Sequence, residues 1–299
     1  MPPSLDPRLL TTIGDFELFL VPEVAIPTSV RWFLGNMPPE TIDAAREALD
    51  PVFFDENGRL IQSVHTYVLK SPGRVVLIDT GVGNHKPRGG GIPVFDMLDT
   101  PFLDRLAAIG VQPNDVDLVL CTHMHVDHLG WDARFEGGEW VPTFPNARHL
   151  LVQREFDAFI AGAESDPSGG NSAIRHDTID PLVRANLIDL VSADYQVTPE
   201  IRFEPSHGHT PGHVNIVVES GGTKAVFIGD VMHSPIQVLV PDGESPLNGP
   251  PAATVARKEV IRRYADTGTL VFGAHFAAPC GGHIRTTATG YTFVPMTTS

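Results

Sequence analysis

At 299 residues, with 42% hydrophobic and 19% charged side chains, the chain has the balance of a globular protein with a sizeable core, which excludes a disordered one. Its 36 acidic against 21 basic residues leave a formal charge of −15, which repels phosphate backbones and anionic membrane surfaces, so no nucleic-acid and no membrane partner is expected. Only Cys121 and Cys280 are present, no disulfide framework follows, and the opening MPPSLDPRLLTTIGDFELFLV has no apolar stretch of signal-peptide length, so a cytoplasmic setting is expected.

The expectation is a single domain over residues 1–299, with the first 60 or so as a strand and loop extension that shapes a pocket or a dimer contact. In chain order, short apolar, β-branched runs at residues 64–69, 75–78, 118–121, 149–152, 214–218, 225–228 and 270–272 predict strands. Helical patterns lie between or after them at 101–109, 154–161, 178–187 and 252–265, the last with Val255, Val260 and Ile261 on one side. Long loops dense in Gly, Pro and Asn are expected at 36–39, 85–93, 164–171 and 240–251. The run Gly89, Gly90, Gly91 after Lys86 and Arg88 lacks the spacing of a phosphate-binding loop and reads as a flexible one. Arg257, Lys258, Arg262 and Arg263 have helical spacing and read as a solvated or subunit-facing surface. The whole is layered α/β.

Out of the strand ending at Cys121 the chain reads Thr122-His123-Met124-His125-Val126-Asp127-His128-Leu129-Gly130. Alternation sets His123 and His125 on one face of an extended segment, with Asp127 and His128 in the turn beyond it. This is the carboxyl end of a strand, where open α/β sheets place ligands. A lone histidine is more often a hydrogen-bonded structural residue, but three with an aspartate in six residues point to a metal. Imidazole and carboxylate without thiolate suit zinc best, and allow iron, manganese or cobalt.

The motif resembles the H-x-H-x-D-H signature of the metallo-β-lactamase superfamily. The resemblance continues in order through VVLIDTG at 75–81, GHTPGH at 208–213, Ile228-Gly229-Asp230 and Gly273-Ala274-His275, and spans about residues 62–295. It implies a four-layer αββα sandwich and two divalent metal ions, one held by His123, His125 and His213, the other by Asp127, His128 and His275, with Asp230 bridging. In that pattern the ligand is taken as the histidine after Pro-Gly, so His209 is left to brace the loop and His207 has no role. Asp79 matches a carboxylate that orients a ligand histidine from behind.

Two such ions, about 3.5–4 Å apart, lower the pKa of a shared water from ~15.7 toward roughly 7 and polarise a carbonyl or phosphoryl oxygen. Asp127 and Asp230 are the candidate catalytic residues, aiming the resulting hydroxide and moving its proton to a leaving group. The segment 130–147, with Trp131 and Trp140, resembles the acyl-homoserine lactonase (quorum-quenching) branch, and GHIR at 282–285 with GYTFVP at 290–295 resembles the tail of methyl parathion hydrolase. Hydrolysis of a small uncharged lactone or ester is therefore the leading expectation, phosphotriester hydrolysis the alternative, and a non-hydrolytic iron redox enzyme the reading from another class. The relatives imply a homodimer. Among Trp32, Phe33, Trp131, Trp140 and Phe276, the pocket wall is assigned to Trp131 and Phe276, each within three residues of a ligand, and the others to packing.

Overall fold

Runs such as VVLI at 75–78 and NIVV at 215–218 lack the alternation of a half-solvated strand, and such strands need cover on both faces. In the computed structural model of the chain, residues 5–89, 93–244, 249 and 251–297 are described, and two sheets supply that cover. A seven-stranded sheet runs in spatial order Arg8–Ile13, Phe16–Thr28, Leu60–Ser71, Arg74–Ile78, Leu118–Leu120, Arg148–Val152 and Ile188–Val191. Its first four strands pair antiparallel and the rest parallel. The six-stranded sheet runs Ile201–Pro205, Val214–Ser220, Thr223–Phe227, Leu270–Phe272, Gly281–Thr287 and Gly290–Pro295, with one parallel pair, Thr223–Phe227 beside Leu270–Phe272.

The side-chain period of two divides each strand between layers. Tyr67, Leu69, Val76, Ile78 and Leu120 of one sheet meet Ile216, Val218, Phe227 and Phe272 of the other in a shared core. Their neighbours Val68, Leu77 and Val119 face outward, under Phe102 and Leu106 of the helix Phe102–Ala108. On the opposite side Val217, Val226 and Val271 lie under Val260, Ile261 and Tyr264 of the helix Pro251–Tyr264. Helix, sheet, sheet and helix make the four-layer αββα sandwich.

Several expectations are corrected. The strand at 118 stops at Leu120, so His123 and His125 lie on a loop and not on an extended segment. The helix Gln153–Ser165 and the short helix Gly170–Ile174 take up half of the expected loop at 164–171, leaving 166–169. The helix expected over 178–187 starts earlier, as a π turn Arg175–Ile179, and continues as Asp180–Arg184. The strand Phe16–Thr28 was masked by Pro22 and Pro27, and its register shifts between Pro22 and Val24 because proline has no N–H to pair. Val255 points away from the core, 67% exposed.

Three basic residues read as surface or flexible are buried. Arg257 donates to the carbonyl oxygens of Val231 (3.1 Å), Pro241 and Gly243 (both 2.8 Å), so a side chain assigned to a solvated face pins two loops. Lys86 lies 4.5 Å over the Trp140 ring, and its Nζ donates to Asp177 O (2.9 Å), Asp177 Oδ1 (3.1 Å) and Thr178 Oγ1 (2.8 Å). Arg88 grips both oxygens of Asp177 at 2.7 and 2.9 Å. The chain is therefore fixed up to Arg88; Gly90 and Gly91 lie outside the described residues.

Burial pushes the Lys86 ammonium down to about 8, against the pull of Asp177. Replacing Asp177 with Ala leaves two buried cations without their counter-ion and should cost about 3–5 kcal/mol of stability. Denaturant unfolding reads this directly; a loss under about 1 kcal/mol, the range of an exposed pair, would show the cluster to be energetically idle.

Candidate metal centre

Four strand ends reach one edge of the sandwich. Asp79 follows Arg74–Ile78, the loop from Cys121 to His128 follows Leu118–Leu120, Asp230 follows Thr223–Phe227, and His275 follows Leu270–Phe272. A fifth segment carrying His209 and His213 enters the strand Val214–Ser220 and is tied to the first loop by Glu155. That buried carboxylate accepts from Met124 N (3.1 Å) and Gly212 N (2.7 Å).

Ligand atoms gather there in overlapping groups, two of which lie on either side of Asp230. Nδ1 of His125 lies 3.0 Å from Nε2 of His123 and 2.9 Å from Nε2 of His209. In the second group Nε2 of His275 stands 3.5 Å from Asp127 Oδ2, and Nε2 of His128 3.7 Å from Asp127 Oδ1. Asp230 sits between them. Its Oδ2 is 3.5 Å from His123 Nε2 and 3.3 Å from His209 Nε2, while its Oδ1 is 3.3 Å from His128 Nε2 and 3.0 Å from His275 Nε2.

The far sides of the rings are held by other donors and acceptors. Asp79, at φ 51°, accepts through Oδ2 from His128 Nδ1 at 2.8 Å and through its two oxygens from Thr122 N and Oγ1, both at 2.9 Å. His275 Nδ1 bonds to Ser63 O at 3.0 Å, and His123 Nδ1 meets Thr122 Oγ1 at 3.1 Å. Each ring is thus turned so that one nitrogen faces the cluster.

Burial pushes His123 well below the ordinary imidazole range and His125 down to about 4, so at neutral pH these rings present lone pairs and not protons. Burial also opposes charge on His128, but Asp230, Asp79 and Asp127 outweigh it and hold that ring well above its usual value. Asp230 is held well below the carboxylate range: burial pushes it up, and His128, His275, His233 and His123 outweigh that. His128 Nε2 and Asp230 Oδ1 are both buried without a hydrogen-bond partner. Lone pairs converging at such distances repel one another unless a cation lies among them. The groups His123, His125, His209, Asp230 and Asp127, His128, His275 each hold their ligand atoms within 4.8 Å, and nitrogen with carboxylate oxygen fits divalent metals.

The roles expected of His209 and His213 are exchanged. His213 is fully buried, its Nδ1 bonded to Ser206 Oγ at 2.8 Å and its Nε2 accepting from the Asp230 backbone N–H at 3.1 Å, so both nitrogens are taken. It braces Asp230 from behind. His209 turns its Nε2 into the cluster instead. Two histidines four residues apart in a Gly-Pro turn cannot be told apart by spacing; the direction of the turn decides. Gly229, at φ +48°, is required here, because a Cβ would lie 2.7 Å from both His213 Nε2 and Thr122 Oγ1.

The pocket aromatics are also corrected. Trp131 is buried, stacked on Phe102 with centroids 4.8 Å apart, and donates from Nε1 to Glu23 Oε1 at 2.7 Å. Phe276 is fully buried against Phe293. The aromatic that does face the cleft is Trp32, 44% exposed, assigned to packing in the sequence. A cleft of about 1390 Å³ opens over the cluster, with His125, Asp127, His209, Asp230, His233 and His275 at its floor and Ile26, Trp32, Val64, Val94 and Phe95 among its walls. Sequence reasoning missed His233, Glu155 and Glu23. Only His233, three residues beyond Asp230, carried a local signal.

A sequence profile described as Metallo-beta-lactamase superfamily matches residues 61–275. N-acyl homoserine lactonase AttM of Rhizobium radiobacter is 30% identical over 178 residues, 54% of this chain and 62% of that protein. An N-acyl homoserine lactonase of a Bacillus species is 23% identical over 175 residues, 55% of this chain and 62% of that protein. The match thus spans less than two thirds of either relative's length. The solved structure of hydrolase AbOPH, described as in the beta lactamase superfamily, superposes with a TM-score of 0.80 at 21% identity over 99% of each chain. AidC, described as a dizinc quorum-quenching lactonase, superposes at 0.76 with 21% identity over 98% of each.

If His209 and not His213 belongs to the cluster, His209→Ala should lower the metal retained after gel filtration, while His213→Ala should keep its metals but bind them roughly 10–100-fold more weakly. Elemental analysis separates the two. A full complement in the first variant beside an empty second would restore the order read from the sequence.

Glu23 gives a pH test. Burial pushes its carboxyl from 4.5 up to about 7, although N–H groups of Val82, Trp131 and Gly83 donate to it. A raised folded-state value means its contribution is full below pH 4.5 and is lost as pH rises through about 7. Glu23→Gln should therefore gain stability relative to the unaltered protein between pH 5 and 8, read as the difference in unfolding midpoint. A difference that stays flat across that window contradicts the assignment.

Proposed function

Since the chain belongs to the metallo-beta-lactamase superfamily, we propose that its metal centre hydrolyses a lactone or carboxylic ester, with an N-acyl homoserine lactone as the leading substrate. The observation that carries this reading is a single cleft lined both by the ligand cluster and by apolar Ile26, Trp32, Val64, Val94 and Phe95, beside polar Gln62, Arg88 and Asn171. An uncharged head with an acyl tail fits that division. The names of the AttM and AidC relatives support the same class.

In this reading His123, His125 and His209 would hold one divalent ion and Asp127, His128 and His275 the other, with Asp230 between the two groups. When bound, the ions supply Lewis acidity, which ionises water near neutral pH and polarises a carbonyl. The protein does the placing. Asp79 and Ser63 O fix the rings of His128 and His275, and His213 with Gly229 fixes the Asp230 backbone. Asp127 lines the cleft floor beside His275, and its carboxylate is the group assigned to pass a proton to the departing alkoxide oxygen. The apolar wall takes the acyl chain out of water at about 0.8 kcal/mol per buried methylene.

The reading extends to zinc as the metal, on the N and O donor set, to a cytoplasmic setting, on the two buried free cysteines, and to a homodimer, on the resemblance to the lactonase branch. No helix among the described residues is long and apolar enough to cross a membrane.

Comparing kcat/KM for an acyl-homoserine lactone, a phenyl ester and methyl paraoxon measures differential stabilisation of their transition states. The lactone should lead the phosphotriester by at least tenfold, about 1.4 kcal/mol. The reverse order by the same margin replaces this reading with organophosphate hydrolysis, and full activity in metal-free protein removes the centre altogether.

A further inference from the structure

His233 belongs to neither group of the two-metal assignment, yet it reaches the same carboxylate. Its ring is buried at the cleft floor, lies parallel to His275 with centroids 5.5 Å apart, and meets Phe33 edge-on at 6.4 Å. The backbone is fixed as well, since His233 N donates to Gln237 Oε1 at 2.8 Å. Nε2 stands 3.2 Å from Asp230 Oδ2, and Nδ1 is buried with no hydrogen-bond partner.

A neutral imidazole carries one N–H. On Nδ1 that hydrogen would be a buried, unpaired donor, whereas on Nε2 it faces a carboxylate, so the tautomer follows from the cost of an unsatisfied donor. The receiving oxygen is also specific. Oδ2 is the one turned toward His123 and His209, and Oδ1 the one turned toward His128 and His275. A donor on Oδ2 blocks rotation of the carboxylate about its terminal bond and leaves a lone pair of each oxygen free for its own metal.

We propose that His233 is a positioning residue of the centre, donating from Nε2 to Asp230 Oδ2 and holding that carboxylate in its bridging orientation. The assignment rests on the two-metal reading above. It makes the side chain at 233 part of what sets metal affinity although it coordinates neither ion. Its rival is direct coordination, since ligand atoms of Asp230, His233 and His275 also lie within 4.8 Å of one another.

Two substitutions separate donation from bulk. His233→Phe keeps the flat ring against His275 and Phe33 but has no donor; His233→Gln can place an amide N–H near the position of Nε2. Zinc affinity, read by competition with a chromophoric chelator, should fall roughly 10–100-fold in the Phe variant and be largely restored in the Gln variant. The visible spectrum of the cobalt-substituted proteins should keep the same band pattern, because the ligand count is unchanged. Undiminished zinc affinity in His233→Phe, equal loss in both variants, or a cobalt spectrum showing a lower coordination number in His233→Phe each overturns the proposal. Should the Phe variant not fold, the Gln variant decides alone: near-native zinc affinity supports donation and a clear loss refutes it. Unaltered protein that retains no zinc would bring down the metal centre itself, whereas unaltered protein and His233→Phe holding zinc equally would bring down only the role of His233.

Discussion

The carboxylate of Asp230 is buried among imidazole rings that come from the ends of different strands, and the arrangement is only tolerable with positive charge inside it. A buried acceptor without a partner costs about 1–3 kcal/mol, more when charged, and Asp230 Oδ1 is in that position. Divalent metal ions held there would offset that cost and the mutual repulsion of the nitrogen lone pairs at once. The protein can keep such a cluster open because the ligands stand on two sheets that share one hydrophobic core, so no single loop has to hold the geometry.

Much of that rigidity comes from charged groups that do not line the cleft. Glu155 bridges the loop of His123 to the loop of His209, and Arg257 ties Val231, one residue past Asp230, to the segment at Pro241 and Gly243. Glu23 gathers the amides of Val82 and Gly83 and the indole of Trp131 beneath the same edge. Each is a buried polar group satisfied mostly by backbone or by a fixed partner, the condition under which a buried polar network rigidifies its surroundings. They share a logic with Asp79 and His213: none faces the cleft, and each limits how a neighbour that does can move.

The cleft divides its labour by chemistry. Its floor draws on the strand ends, which the fold dictates, while its wall draws on the strand Phe16–Thr28, the helix Val30–Phe33 and the turn Pro93–Phe95, which a related chain can change without disturbing the sheets. In the proposed reading the reaction type follows from the floor and the choice of substrate from the wall, the usual separation between a scaffold and the loops grafted on it.

The sequence by itself determined what local density can encode. Three histidines and an aspartate inside His123–His128 announced a metal site, Asp230 and His275 could be placed by their order along the chain, and apolar runs without alternation announced strands covered on both sides. Tertiary structure alone decided everything that depends on direction. Spacing was blind to which of His209 and His213 turns inward, because both sit on one tight turn and only the path of the backbone into Val214–Ser220 separates them. Neighbourhood in the chain likewise misplaced Trp131 and Phe276, which lie close to ligands in sequence but point into the core, while Trp32, about 90 residues before the motif, reaches the cleft. Lys86 and Arg88 needed Asp177 and Arg257 needed three carbonyl oxygens before either could be recognised as buried, and a charge finds such partners only after the chain has folded around it.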